Sequence, residues 1–165
     1  MDFKEEFVAE TTSVEEQYLT ERNKPMPSKN HSKVQSNIII SLGVNYEEKY
    51  DVHSELTLLL NDWKSVPDLS IFPSAEYNPH GDEVKVTEAP LGVVEILSPK
   101  QTQSELILKA IEYFKNGVKS VWIVFPELEN VYVFTSPDDY EMYRKGQILK
   151  DVALDIELEV SRFFK

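Results

Sequence analysis

The stretch Leu91-Gly92-Val93-Val94-Glu95-Ile96-Leu97 decides the fold, together with Val121-Trp122-Ile123-Val124-Phe125 further along. Both runs are almost wholly apolar over a strand's length, the pattern of strands buried on both faces of a sheet. Pro99 stops the first run. Between the two, Thr102 and Glu105 have the spacing of a capping box, which opens a helix running to about Asn116. Gly117 stands where a helix-terminating glycine belongs. Strand, helix and strand make one crossover unit, expected to be right-handed with its strands parallel.

The rest of the chain is read outward from this unit. Downstream, 131–135 pairs as the next strand, and 140–165 reads as further strands and a terminal turn. Upstream, 73–85 is rich in Pro, Asn, Gly and Asp and forms a loop. Residues 66–72 form a strand opened by Pro67, since proline fits a strand's first position or its edge. Leu56, Leu58 and Leu60 alternate as in a strand, and Asn61-Asp62 turns the chain after it. Val34, Ile38 and Leu42 recur at every fourth position, on one face of a helix that starts near Ser28 or Asn30. Ile38-Ile39-Ile40 also reads as strand, and Gly43 either ends the helix or is tolerated within it. Ser13 and Glu16 form a second capping pair for a short helix to about Glu21, and 23–28, with Pro25 and Pro27, is a loop. The expectation is an acidic tail over 1–10, then one domain over 11–165. Its class is α/β (α+β), a mixed sheet flanked by helices.

Composition narrows the function. With 0 cysteines there is no disulfide framework, no thiolate metal site and no thiol nucleophile. The acidic start and the absence of an apolar run long enough for a bilayer predict a soluble, cytoplasmic protein without membrane partners. The 17 basic against 29 acidic residues give a net charge of −12. That balance argues against a protein coating nucleic acid non-specifically, because such binding draws on Lys and Arg replacing counterions. It leaves room for a local basic groove, for which Lys24, Lys29, Lys33 and Lys100 are candidates beside their plainer reading as solvated charges.

Three residues carry the candidate chemistry. Glu95 interrupts a run that should be core, and an unpaired buried carboxylate is costly enough to demand a lysine, a metal or exposure at a strand end. Asp68 follows Pro67, where it is either a turn residue or the start of a functional strand. On the helix after Pro99, Leu106, Ile107, Ala110, Ile111 and Phe114 span an apolar arc bordered by Tyr113, with Lys109 just beyond. Lys109 either snorkels to solvent or reaches over the sheet towards the end of the Glu95 strand. Two carboxylates from neighbouring strands suit a hard divalent cation, which polarises a phosphate and supplies hydroxide. A nearby ammonium orients water or offsets developing charge. His31, His53 and His80 lack metal-ligand spacing, though His31 faces the site if its helix flanks it.

These blocks in this order resemble the Uma2 family: Pro67-Asp68-Leu69-Ser70-Ile71, Val94-Glu95-Ile96-Leu97-Ser98-Pro99, Glu105-Leu106-Ile107-Leu108-Lys109 with Tyr113, and Gly117-Val118 with Val121-Trp122-Ile123-Val124. The helix over 29–42, with His31 near its start, is also similar to that family's N-terminal helix. The resemblance implies a restriction-endonuclease-like fold of the PD-(D/E)XK nuclease superfamily. It implies Asp68 and Glu95 as ligands of Mg²⁺ or Mn²⁺, the backbone carbonyl of Ile96 as a third, and Lys109 as the catalytic lysine. In the usual superfamily pattern that lysine follows the glutamate by two positions, where this chain has Leu97; the family's pattern moves it to the next helix. Glu55 is the candidate for an additional acidic residue. The implied activity is phosphodiester hydrolysis of nucleic acid, with DNA the favoured substrate. Restriction-type enzymes often pair two sites for two strands, which makes a homodimer the expected assembly. Two readings compete: a non-catalytic relative using the scaffold for protein interaction or dimerisation, and a carboxylate–lysine pair serving only stability.

Overall fold

The computed structural model of the chain describes residues 14–22 and 24–165. The tail expected over 1–10 and the capping residue Ser13 lie outside the described residues, as does Asn23 of the expected loop. Residues 14–22 are helical (α1) and 25–28 lack regular structure. Helix α2 spans Lys29–Tyr46, with Ser28 as N-cap accepting a hydrogen bond from the His31 amide. Its buried face carries Val34, Ile38 and Leu42, so the isoleucine triplet is helical and Gly43 is tolerated inside the helix.

A six-stranded mixed sheet follows, built from β1 (Tyr50–Ser54), β4 (Leu69–Pro73), β6 (Gly92–Ile96), β7 (Ser120–Phe125), β8 (Asn130–Ser136) and β9 (Asp139–Arg144), in that spatial order. β6 and β7 are parallel, and the other neighbours are antiparallel. Helix α3 (Gln103–Lys115) connects the parallel pair, with Thr102 capping the Glu105 amide. Gly117, at φ 94°, turns the chain out of the helix in a conformation that costs other residues more. A second sheet combines β2 (Thr57–Leu60), β3 (Trp63–Ser65) and β5 (Lys85–Val86), and β10 (Ile148–Asp151) pairs with β11 (Ile156–Glu159).

Four expectations change. The leucine strand ending at Leu60 belongs to the smaller sheet, where Asn61 and Asp62, both at positive φ, turn it into β3 as in a type I′ hairpin. The strand expected over 66–72 begins at Leu69, leaving Pro67 and Asp68 as its lead-in. β1 is an additional edge strand with only Tyr50 buried, so its alternation is weak in the sequence. On α3 the buried residues are Leu106, Ala110 and Tyr113, while Ile107 is exposed. The buried stripe is therefore rotated towards Tyr113, whose hydroxyl finds polar partners inside the fold.

Alternation along β6 and β7 sorts the core into two layers. Val94, Ile96, Trp122 and Val124 pack with Val34, Ile38 and Leu42 of α2. Val93, Val121 and Ile123 pack with Leu106, Ala110 and Tyr113 of α3 and with Leu58 and Leu60 of β2. Glu95 shares the parity of Val93, which aims it into the α3 layer.

Candidate active site

Strand register brings the acids together. β4 and β6 pair antiparallel with Leu69 opposite Val94, so the next step beyond the ladder sets Asp68 opposite Glu95. β1 and β4 pair with Ser54 opposite Leu69, and the same step sets Glu55 opposite Asp68, where the Glu55 amide donates to the Asp68 carbonyl at 3.2 Å. Glu55, Asp68 and Glu95 thus form a row across the ends of three adjacent strands. Glu55 sits at φ 55°, where the chain leaves β1.

Asp68 and Glu95 are each only 1% exposed, and their surroundings differ. Asp68 Oδ2 accepts from the Ile96 amide at 2.7 Å and lies 3.1 Å from His31 Nε2. Its Oδ1 accepts from Lys24 Nζ at 2.8 Å, and Gln35 of α2 donates to its backbone carbonyl at 2.9 Å. Burial pushes the Asp68 carboxyl up, but the His31 hydrogen bond and the Lys24 charge outweigh it and hold the group below the usual aspartate value. Glu95 Oε1 accepts from the Tyr113 hydroxyl at 2.8 Å and stands 4.0 Å from Lys109 Nζ. Burial dominates here: it raises the Glu95 carboxyl above the usual glutamate value although Lys109 and Lys24 oppose it, and the Asp68 charge adds to the rise. Ser65 Oγ lies 2.6 Å from the Tyr113 oxygen, so with the phenol proton committed to Glu95 the serine donates to the phenol. Burial, and then the Glu95 charge, push the Tyr113 phenol well above its ordinary range.

The structure brings Asp68, Glu95 and Lys109 to one place, with His31 and Glu55 beside them. The Ile96 amide binds Asp68 directly. Lys24 departs from its expected place: it is not on a basic rim but 6% exposed, bonded to Asp68 and 2.5 Å from Glu55 Oε2. Lys29 and Lys33 are exposed, and Lys100 pairs with Glu15 at 3.4 Å. His53 packs edge-on against Phe72, and His80 lies on the exposed loop. Sequence reasoning left Gln35 and Ser65 unremarked. Their only signal is a polar residue on a buried helix face and one at the end of a short strand. A cavity of about 390 Å³, lined by Leu19, Lys24, Pro25, Trp63 and Lys109 among others, opens over the two lysines. Both lysines line that cavity, whereas Glu55, Asp68 and Glu95 do not.

The donor chemistry suits a hard cation, since carboxylate and carbonyl oxygens are what Mg²⁺ takes, with water for the rest. Among the described residues no three His, Asp or Glu side chains converge as a metal cage. Glu55, Asp68 and Glu95 stand in a row rather than around a point, so an ion there would rest on two carboxylates, backbone oxygen and water.

A mixed sheet crossed by one parallel connection, with two acids at adjacent strand ends and a lysine on the connecting helix, is the arrangement of a nuclease-type α+β fold. A crystal structure of "a putative nuclease belonging to DUF820" from Anabaena variabilis ATCC 29413 is similar, with a TM-score of 0.73 at 24% identity, over 86% of this chain and 83% of that one. Residues 18–161 match the Uma2 family, described as "Putative restriction endonuclease", and the chain belongs to that family. No curated protein sequence matches it. Among the described residues no helix is long and apolar enough to cross a membrane.

Proposed function

We propose that the protein is a metal-dependent endonuclease that hydrolyses phosphodiester bonds, with DNA as substrate, acting as a homodimer. One observation carries this reading: two buried carboxylates at the ends of adjacent strands share a face with a lysine 4.0 Å from one of them. Asp68, Glu95 and the Ile96 carbonyl would hold Mg²⁺ or Mn²⁺. When bound, such an ion polarises the phosphate and lowers the pKa of water. The chain's own residues do the remaining work. Tyr113 and Ser65 fix the Glu95 carboxylate, and His31 and the Ile96 amide fix Asp68. Lys109 directs its ammonium to the Glu95 side, where it orients the attacking water and offsets charge on the phosphorane-like transition state. The buried setting strengthens each of these interactions relative to water.

Purified protein with Mg²⁺ or Mn²⁺ is expected to cut plasmid or single-stranded DNA at low salt. Asp68→Asn, Glu95→Gln and Lys109→Met should each lower the rate by about a hundredfold or more, the scale of losing one electrostatic group from a transition state. Circular dichroism should show the fold retained. Intact substrate in every metal and salt condition would overturn the reading. The burial of both acids favours a second reading, a nuclease-type scaffold without catalysis. It predicts no Mg²⁺ heat in calorimetry, or heat that Asp68→Asn leaves unchanged.

A further inference from the structure

We propose that Lys24 is a tethered counterion of the acid row, and that its ammonium must leave Asp68 before a divalent ion can be held there. The inference rests on the metal-dependent reading above. Its first support is position. The Lys24 amine contacts Asp68 Oδ1 at 2.8 Å and Glu55 Oε2 at 2.5 Å, bridging two of the three acids as a small cation would. Like Asp68 and Glu95 it is buried, and unlike them it lines the cavity.

Charge balance is the second support. Leaving aside the half-exposed Arg22, which reaches Glu55 at 3.7 Å, and with His31 counted as neutral, the row holds three carboxylates against Lys24 and Lys109. A divalent ion with Lys109 would match those three negative charges. A divalent ion with both lysines would leave an excess positive charge in a dry site, where like charges repel strongly. The ion and Lys24 therefore exclude one another.

The third support is an exit. Lys24 lies in the stretch 24–28 that leads into the Ser28 cap of α2. Its side chain borders the cavity that Glu105 and Glu112 also line, so a released ammonium has space and opposite charge to receive it. The stem stays anchored while the charge swings from the acid row to the mouth. Metal loading and opening of the site become one event.

Calorimetric titration of Mg²⁺ and Mn²⁺ into the full chain tests this, with Lys24→Met and the polar Lys24→Gln as variants. Removing a unit charge a few ångströms from the ion should tighten metal binding by about tenfold or more. The melting temperature without metal should fall, and the rise on adding metal should grow. Amine acetylation of the wild type, read by peptide mass spectrometry, needs no variant: labelling of Lys24 should be slow without metal and faster with it, while Lys145, which pairs with Glu129, stays constant. Wild type and folded variants binding metal equally, or Lys24 staying protected in metal-loaded protein, would overturn the tethered-counterion role alone. No metal binding by wild type or variants would overturn the metal-dependent reading and this inference together.

Discussion

Asp68 and Glu95 are equally buried neighbours that titrate in opposite directions, and the difference lies in their donors. Asp68 has an ammonium, an imidazole and a backbone amide; Glu95 has one phenol and a lysine at 4.0 Å. The Asp68 carboxyl lies below its ordinary 3.8 when folded, so its contribution to stability is present above 3.8 and is lost as pH falls through the folded value. Asp68→Asn should therefore destabilise at neutral pH, by about 1–3 kcal/mol because Lys24 keeps only Glu55 as a charged partner, and the gap to wild type should close in acid. Glu95 lies above its ordinary 4.5, so its contribution is present below 4.5 and is lost as pH rises through the folded value. Glu95→Gln, which mimics the protonated acid, should melt higher than wild type at neutral pH while losing activity, and the gain should vanish below 4.5. Urea midpoints at a series of pH values check both signs; a Glu95→Gln protein less stable at pH 7 would contradict the second. At this scale the sequence marks Glu95 by itself, as a charge inside an apolar run, whereas Asp68 and Lys109 stand out only beside it and through the family resemblance. Lys24 is hidden: nothing around it marks a lysine that pairs with an acid 44 positions away.

The crossover unit is legible because its signals are local. Apolar runs, the Thr102–Glu105 pair and Gly117 each act within a few residues, and they reproduce β6, α3 and β7. β1 and β3 escape because one is an edge strand with little buried surface and the other is a three-residue return of a hairpin. The rotation of α3 escapes for a tertiary reason: helical periodicity marks apolar residues, whereas the buried Tyr113 depends on Ser65 and Glu95 from other strands. α3 carries both Lys109 and Tyr113, so damage to its cap and damage to its hydroxyl should separate. Thr102→Ala should cost about 1 kcal/mol of stability and leave cutting by folded protein close to wild type. Tyr113→Phe leaves a buried carboxylate oxygen and a serine hydroxyl short of a partner and should cost about 1–3 kcal/mol. It should also lower the cutting rate, since Glu95 loses the group that aims it. Denaturant melts paired with single-turnover rates distinguish the two variants; equal effects on rate would place the tyrosine among purely structural residues.

For the molecule as a whole, the proposed function sets a net charge of −12 against a polyanionic substrate. Long-range electrostatics then oppose encounter, and salt, which screens that repulsion, also weakens any phosphate contact. A basic protein would overcome this with many lysines, but the exposed lysines here include several already paired: Lys100 with Glu15, Lys115 with Glu112 and Lys145 with Glu129. The proposed function therefore places the attraction for phosphate at the site, where a divalent ion would add two positive charges beside Lys109. Binding should then depend on metal in a way that a basic groove would not. With Lys109→Met, which keeps both carboxylates but is expected not to cut, fluorescence anisotropy of a labelled duplex should show no binding without Mg²⁺ and measurable binding with it. The plot of log affinity against log salt should have a shallow slope, that of about two or three phosphate contacts rather than the 6–10 of a strongly basic binder. Tight binding without metal and with a steep slope would place the substrate on some other surface, and the row formed by Glu55, Asp68 and Glu95 would lose its claim to be where the phosphate arrives.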